Sequence, residues 1–534
     1  MKTLKYIGLF IFLIGFGLLT ATPFIGSYTL TDKIMQENLS EYELEVLGDA
    51  YRKDIVGKTY ETSFGISQDL MKPYKVKNEE FRSNEQWDKL LHTPPKDFAF
   101  KIAKASSNGF IANNGWLIVF LTFGLGIIGS LMYIFPNIKL MGHPGIKNDG
   151  IYHSSMQSRG WLGFLMASWF ISLYIMLYFY PHWIVSMTNV VDPLKGLFIE
   201  GAGASQWFLY GLLYTVAMTV MGIRMIIKYR HNKYQIFRTC SVIFFQVVFA
   251  FMLVEILPIF NLPAMDLKNA WPLDYDFLFD WNVQAHFAAG TIGRFMFFWG
   301  IALSLVLIPL FAYIYGKRWY CSWVCGCGGL AETLGDPYRQ LSNKKMWAWK
   351  LERWLVHGVL VFAIIMTIFA GYHTYNVLNN PQMDQKDILL GISAYDIRSW
   401  YGFAIGAIFA GVVGTGFYPI FGNRVWCRFG CPLAAYLGIV QRFKSRFRIT
   451  TNGGQCISCG NCSTYCEQGI DVKAYAQRGQ NIIRASCVGC GVCSAVCPRG
   501  VLKLENGPEE GRFGNDGPIV LGNEGFSLKD HQGE

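Results

Sequence analysis

A chain of 534 residues with 52% hydrophobic and only 16% charged residues lies well to the apolar side of soluble proteins, which points to a membrane protein. Its net charge of +10 is not gathered into a basic helix or an aromatic–basic platform, so a nucleic-acid partner is excluded. The charge is read instead as membrane topology and as flanks of a cluster domain.

Apolar runs of about 20 residues, enough to cross a bilayer, occur at Lys5 to Ile25, Gly115 to Phe135, Trp161 to Met187, Gln206 to Ile227, Thr239 to Phe260, Arg294 to Tyr315, Trp354 to Tyr375 and Trp400 to Phe421. The expected fold is an α-helical integral membrane protein of about eight transmembrane helices, with membrane lipid as its surroundings. The first run reaches Ile25 without a small-x-small cleavage site and reads as an uncleaved anchor (1–25) rather than a signal peptide. Residues 26–114 follow as an extracytoplasmic polar domain. They mix acidic and basic residues, contain no Cys and only His92, and are expected to form short amphipathic helices of a solvated docking or spacer domain.

Residues 115–292 carry the second to fifth spans. Positive charge collects after the fourth span (Arg224, Lys228, Arg230, Lys233, Arg238) and after the sixth (Lys317, Arg318, Arg339, Lys344, Lys345, Lys350, Arg353). The connection after the third span holds Lys195, that after the fifth Lys268, and that after the seventh Lys386 and Arg398. Cytoplasmic loops retain Lys and Arg. Even-numbered spans are therefore expected to run inward across a bacterial cytoplasmic (inner) membrane, with both termini in the cytoplasm.

Residues 293–440 contain a duplication. The sixth span ends in GKRWYCSWVCG (Gly316 to Gly326) and the eighth in GNRVWCRFGCP (Gly422 to Pro432), sharing the frame G-x-R-x-aromatic-C-x-aromatic-x-C. Two spans per unit return both copies to one face, as parallel repeats do. Cys321, Cys325, Cys427 and Cys431 could then meet as an additional iron–sulfur centre, a thiol–disulfide relay or a purely structural helix-end turn. Arg318, Arg424 and Arg428 beside these thiols are expected to lower their pKa values. Cys327 and the absence of Pro after Cys325 make the first copy asymmetric.

From Cys456 to Pro498, in the region 441–504, CISCGNCSTYCEQ and CVGCGVCSAVCPR repeat the x2, x2, x3 spacing of a bacterial two-cluster ferredoxin. In that spacing the fourth Cys of each run reaches the other cluster, so Cys456, Cys459, Cys462 and Cys497 would hold one [4Fe–4S] cube and Cys487, Cys490, Cys493 and Cys466 the other. Zinc sites separate two C-x2-C pairs by a longer loop, which disfavours zinc. Glu467 stands where Pro follows the fourth Cys of the second run, a departure expected to loosen that turn. Residues 505–534, rich in Gly, Glu, Asp and Asn, read as a largely disordered tail.

Paired membrane-edge C-x3-C motifs, the second as WCRFGCPLAAYLG, followed by a two-cluster ferredoxin domain, resemble the NosR/NapH family of membrane polyferredoxins across Phe295 to Lys503. The resemblance implies quinol oxidation and electron delivery to a partner reductase, or a maturation or redox-regulatory role for a metalloenzyme. In the family both motifs usually end in Cys-Pro, whereas the first here continues as Cys325-Gly326. The Ser-Gly-Ala-Thr flavin attachment site of NosR-type members does not occur in Gly26 to Asn114, so flavin is not expected. The FixG/CcoG proteins are a weaker resemblance because no β-sandwich follows the ferredoxin run.

A quinol donor requires a proton acceptor. Glu255, inside the fifth span, is the candidate catalytic residue, since an intramembrane carboxylate is costly enough to count as functional by default. His182, His286 and His373 are placed near the outer face and His357 toward the inner one. Axial haem ligation would need two facing histidines at one depth, a condition within reach of His182 with His373 alone, so haem is not expected. A solute transporter is disfavoured by the scarcity of intramembrane charges and of matched broken helices.

Overall fold

Among the described residues of the computed structural model, eight helices are long and apolar enough to cross a membrane: Lys2–Phe24, Gly115–Leu140, Trp161–Phe179, Gln206–Lys228, Lys233–Phe260, Gly290–Tyr315, Met346–Asn379 and Ala394–Gly416. The structure describes residues 1–141, 159–269, 271–379, 388–389, 391–452, 455–506, 519–522 and 525–528. The third helix stops at Phe179, short of the apolar run that reaches Met187. Tyr180 precedes a proline and leaves the helical region, with φ −132° and ψ 51°. The residues after it fold as short turns of helix, Pro181–Trp183 and Val185–Asn189. Hydropathy alone does not separate such a buried surface segment from the end of a span.

Two compact units make up the chain, Met1–Leu140 with Ser172–Val216 and Met141–Ile171 with Ala217–Glu534. In the first unit the polar segment forms the helices Asp32–Asn38, Glu41–Asp54, Ser63–Ser83 and Pro95–Ala105. Side-chain caps from Thr31, Ser40 and Thr62 begin three of them, and Ser40 with Glu43 makes a reciprocal capping box. Their apolar faces close on Tyr28, Leu47, Tyr51, Ile66, Leu70, Tyr74 and Phe98, all buried. This segment therefore has a core of its own. It is seated on the turns that follow Phe179: the Tyr28 hydroxyl lies 2.5 Å from Ser186 Oγ, Ser63 Oγ donates to the Trp183 carbonyl at 2.8 Å, and Lys104 pairs with Asp192 at 2.8 Å. The first two apolar helices pack closely enough that a Cβ on Gly129 would meet the Phe12 backbone nitrogen at 2.3 Å.

In the second unit the connection after Phe260 does not stay at the helix ends. Trp299 Nε1 donates to the Leu267 carbonyl at 2.8 Å, the Trp271 backbone N–H to Ser304 Oγ at 2.9 Å, and Trp271 Nε1 to Thr367 Oγ1 at 2.7 Å. Ser304 lies near the middle of the sixth helix and Thr367 well within the seventh. The segment thus folds back between helices, which irregular backbone can do in a membrane protein only where protein surrounds it. The cluster region hangs on an antiparallel pair, Phe447–Thr451 with Leu502–Asn506. Glu505 and Asn506, placed in the tail by sequence, complete that pair. Most of the remaining tail lies outside the described residues, apart from Ile519–Gly522 paired with Gly525–Leu528.

Candidate metal centres

Between the two strands the cysteine runs fold as near copies. Ser458 and Gly460 have φ of 59° and 80°, and their counterparts Gly489 and Gly491 have 61° and 72°. Each run then enters one turn of helix, Asn461–Thr464 or Val492–Ala495, which carries its third Cys. This doubled turn brings the thiols around two small cavities. One is walled by Cys456, Cys459, Cys462 and Cys497, the other by Cys466, Cys487, Cys490 and Cys493. The grouping follows the crossed spacing. Each set of four thiols faces its own cavity, the arrangement in which Cys ligands would hold an iron–sulfur cube. Burial pushes the thiols up, Cys462 and Cys490 to about 12 and Cys487 to about 11. A bound cationic centre offsets that cost, because the thiolate is the ligand. Cys490→Ser is expected to remove the second cluster and spare the first, read as the loss of one of two overlapping electron paramagnetic resonance signals after dithionite reduction.

Glu467 does not loosen its turn. It is 1% exposed, accepts from Arg339 NH1 at 2.6 Å and from Asn423 Nδ2 at 3.2 Å, and forms an ion pair with Arg424 at 2.9 Å. Arg424 and Arg238 also pair with Glu332, and Asp336 gathers Arg224 (2.6 Å), Lys228 (2.8 Å) and Arg339 (2.8 Å). Burial alone would raise the Glu467 carboxyl, but Arg339, Arg424 and Arg238 together hold it below its ordinary value. Four of the positive residues that sequence reads as a loop signal, Arg224, Lys228, Arg238 and Arg339, thus belong to a network that fastens the cluster region to the helix ends. Glu467, Glu332 and Asp336 escaped the sequence reading because their partners lie far off in the chain; three acidic residues in otherwise apolar or basic surroundings were the available signal.

The two copies of the repeat are held alike. Gly316 and Gly422 both take positive φ, 66° and 96°, and a side chain at either would strike a neighbour, Phe447 or Gln441 in one case and Ser342 in the other. The matched arginines that follow each grip the cluster region. Arg318 covers the Phe447 ring at 4.8 Å and donates to Asn506 Oδ1 at 2.9 Å, while Arg424 holds Glu467. Cys321, Cys427 and Cys431 are buried in one core, with Cys325, Val488 and Cys490 packed against or within it. The four repeat thiols therefore share their surroundings with the second ferredoxin run.

The expected lowering of these thiols is corrected by the structure. Burial pushes Cys321 up to about 12 and raises Cys427 and Cys431. Arg424 NH1 lies 3.6 Å from Cys427 Sγ, but Arg318 faces Phe447 and Arg428 is committed to Glu352 at 2.7 Å. Cys325 alone is drawn down, first by its hydrogen bond with Cys327, then by the Gly328 N–H and the charges of Lys268 and Arg424. Lys268 belongs to the segment that folds back, and its carbonyl accepts from the Tyr320 hydroxyl at 2.8 Å. Sequence reading left Lys268 in an outer loop; the apolar, aromatic make-up of the surrounding residues was the signal for burial.

The remaining candidates stand apart from the thiols. Glu255 is half-buried near the end of the fifth helix. His182 is buried in the first unit, and burial, then Lys96 and Lys75, depress it to about 4. His373 lies 3.5 Å from Asp280, His286 Nδ1 is 2.7 Å from the Asn282 carbonyl, and His357 is exposed with Nδ1 2.6 Å from the Arg353 carbonyl.

A family model described as a 4Fe-4S dicluster domain matches residues 448–498, and one described as a 4Fe-4S binding domain matches twice, at 297–345 and 401–450. The double match coincides with the two copies of the repeat. Among curated proteins, YccM of Escherichia coli (strain K12) is 27% identical over 30% of this chain and 44% of its own length. The methylamine utilization ferredoxin-type protein MauN of Methylobacillus flagellatus is 26% identical over 31% of this chain and 54% of its own. The ferredoxin-type protein NapH of Haemophilus influenzae is 24% identical over 31% and 54%. The chain thus spans about half the length of the curated relatives it matches. No solved structure matches it. Through about a third of its length, therefore, the chain is similar to the NosR/NapH type of 4Fe-4S protein.

Proposed function

We propose that this chain is a multi-pass protein of the bacterial inner membrane that passes electrons between the quinone pool and a partner protein through two [4Fe–4S] clusters held on the cytoplasmic side. The pair of cavities walled by the crossed cysteine sets carries this reading. When bound, the cubes would supply one-electron carriers. The chain's own residues do the rest. Eight thiols hold the cubes, the Glu467 network fixes them against the helix ends, and the buried repeat thiols lie in the same core as Cys490. Glu255 is proposed to accept a proton released by quinol. Relatives named as ferredoxin-type proteins support iron–sulfur electron transfer.

In the purified chain, added quinol is expected to bleach the visible cluster absorbance, and Glu255→Gln to slow that reduction while dithionite reduces as before. Unchanged quinol kinetics would remove Glu255 from the reaction. For orientation, a reporter fused after Ser107 is expected to be active only outside the cytoplasm and one after Asn343 only inside it. The reverse labelling would place the clusters on the other side.

A further inference from the structure

We propose that the headgroup of a quinone binds in a cavity of about 460 Å³ whose walls include Trp349, His357, Cys427, Gln468 and Tyr475. The proposal rests on the quinol reading above and gives it a place. The volume is within the range of small-molecule sites, about 300–1,000 Å³. Cys427 belongs to the repeat thiols, Gln468 follows Cys466 by two positions, and Ser486 in the wall precedes Cys487. A ring bound here lies against Cys427 and against chain neighbours of Cys466 and Cys487.

The polar groups left open favour a neutral ring carrying two oxygens. Gln468 is 3% exposed, yet neither its amide oxygen nor its amide nitrogen has a hydrogen-bond partner in the chain. A buried amide in that condition is costly and offers both a donor and an acceptor. At His357 the Arg353 carbonyl can only accept, so Nδ1 at 2.6 Å carries the hydrogen, and in the neutral ring Nε2 is the acceptor. Acceptor and amide together suit an oxygen that is a carbonyl in one redox state and a hydroxyl in the other.

The wall also carries five cations; four of them are held by acceptors in the chain, and the fifth, Arg353, lies over the Trp349 ring at 5.2 Å. Arg428 holds Glu352 and the Asn343 carbonyl, each at 2.7 Å, and Lys317 the Ala434 carbonyl at 3.1 Å. Arg442 donates to the Ile483 carbonyl at 2.9 Å, and Arg484 to the Tyr475 hydroxyl at 3.1 Å while lying 4.7 Å from the Trp349 ring centre. Val356 and Ile439 supply apolar wall for the ring and the start of its tail.

The test titrates a short-chain menaquinone into the full-length chain in lipid nanodiscs and follows quenching of tryptophan emission. Gln468→Leu and His357→Leu are each expected to raise Kd at least tenfold, with iron content and melting temperature unchanged. If Gln468→Leu does not fold, the exposed His357 carries the test alone. Affinity in both variants equal to that of the unaltered chain would overturn the proposal, and if Glu255→Gln alone weakens binding, quinone sits at the fifth helix instead. Displacement of the probe by phosphatidylglycerol, with no effect of either leucine variant, would make the cavity an anionic-lipid site and overturn it too. An unaltered chain that binds no quinone would defeat the quinol reading itself.

Discussion

Replacing Glu467 with Ala is expected to destabilise the C-terminal unit by about 3–5 kcal/mol, the range for removing one partner of a buried ion pair. The loss leaves Arg339 and Arg424, each about 1% exposed, without the carboxylate they share. Arg339 keeps Asp336 and Arg424 keeps Glu332, but each loses one of two carboxylates in a dry site, where the desolvation of the guanidinium groups is then no longer fully offset. Glu467→Gln should cost less, since an amide oxygen still accepts from one arginine. Denaturant titration followed by tryptophan emission and cluster absorbance measures both, and an unchanged midpoint for the Ala variant would show that the network does not fasten the domain. The pH dependence has a definite sign. The native Glu467 carboxyl is held below its unfolded value of about 4, so its contribution is fully present above that value. It is lost as pH falls through the depressed native pKa, so attachment is expected to hold through mild acid and fail in strong acid.

The second large effect is expected from Cys325→Ala combined with Cys431→Ala. If the repeat thiols hold a further iron–sulfur centre, this pair of changes lowers iron from that of the unaltered chain to the two-cluster value of about eight. Quinol then no longer reduces the ferredoxin clusters, while dithionite still does. The argument is proximity: the thiols occupy one core together with Cys490. Burial raises three of the four, which disfavours free thiolates and favours a bound cation that stabilises them. An unchanged iron count with unimpaired quinol reduction would assign these cysteines to packing.

Much of this architecture was legible because it is written in local spacing. Apolar runs announce helices long enough to cross a bilayer, and the x2, x2, x3 rhythm places thiols around two cavities because the intervening residues have few ways to turn. The G-x-R frame marked a real correspondence, visible in the matched φ of Gly316 and Gly422 and in the parallel tasks of Arg318 and Arg424. What escaped depends on contacts between residues remote in sequence. Glu467 looked like a missing proline because its arginines lie on other elements. Arg318 and Arg428 were expected to serve the thiols they neighbour, but the direction in which a side chain leaves a helix end is set by packing, and Phe447 and Glu352 claim them. The segment around Lys268 and Trp271 was read as an outer connection. Its return to Ser304 and Thr367 depends on hydrogen bonds that no periodicity announces. Gln468 gave no signal at all, since an amide reads as surface until its partners are sought.

The most direct measurement is iron and acid-labile sulfide per purified chain, with electron paramagnetic resonance of the dithionite-reduced protein. The account predicts at least about eight irons with matching sulfide and two interacting [4Fe–4S] signals, one of which Cys490→Ser removes. Zinc in place of iron, or a single isolated cluster, would contradict it.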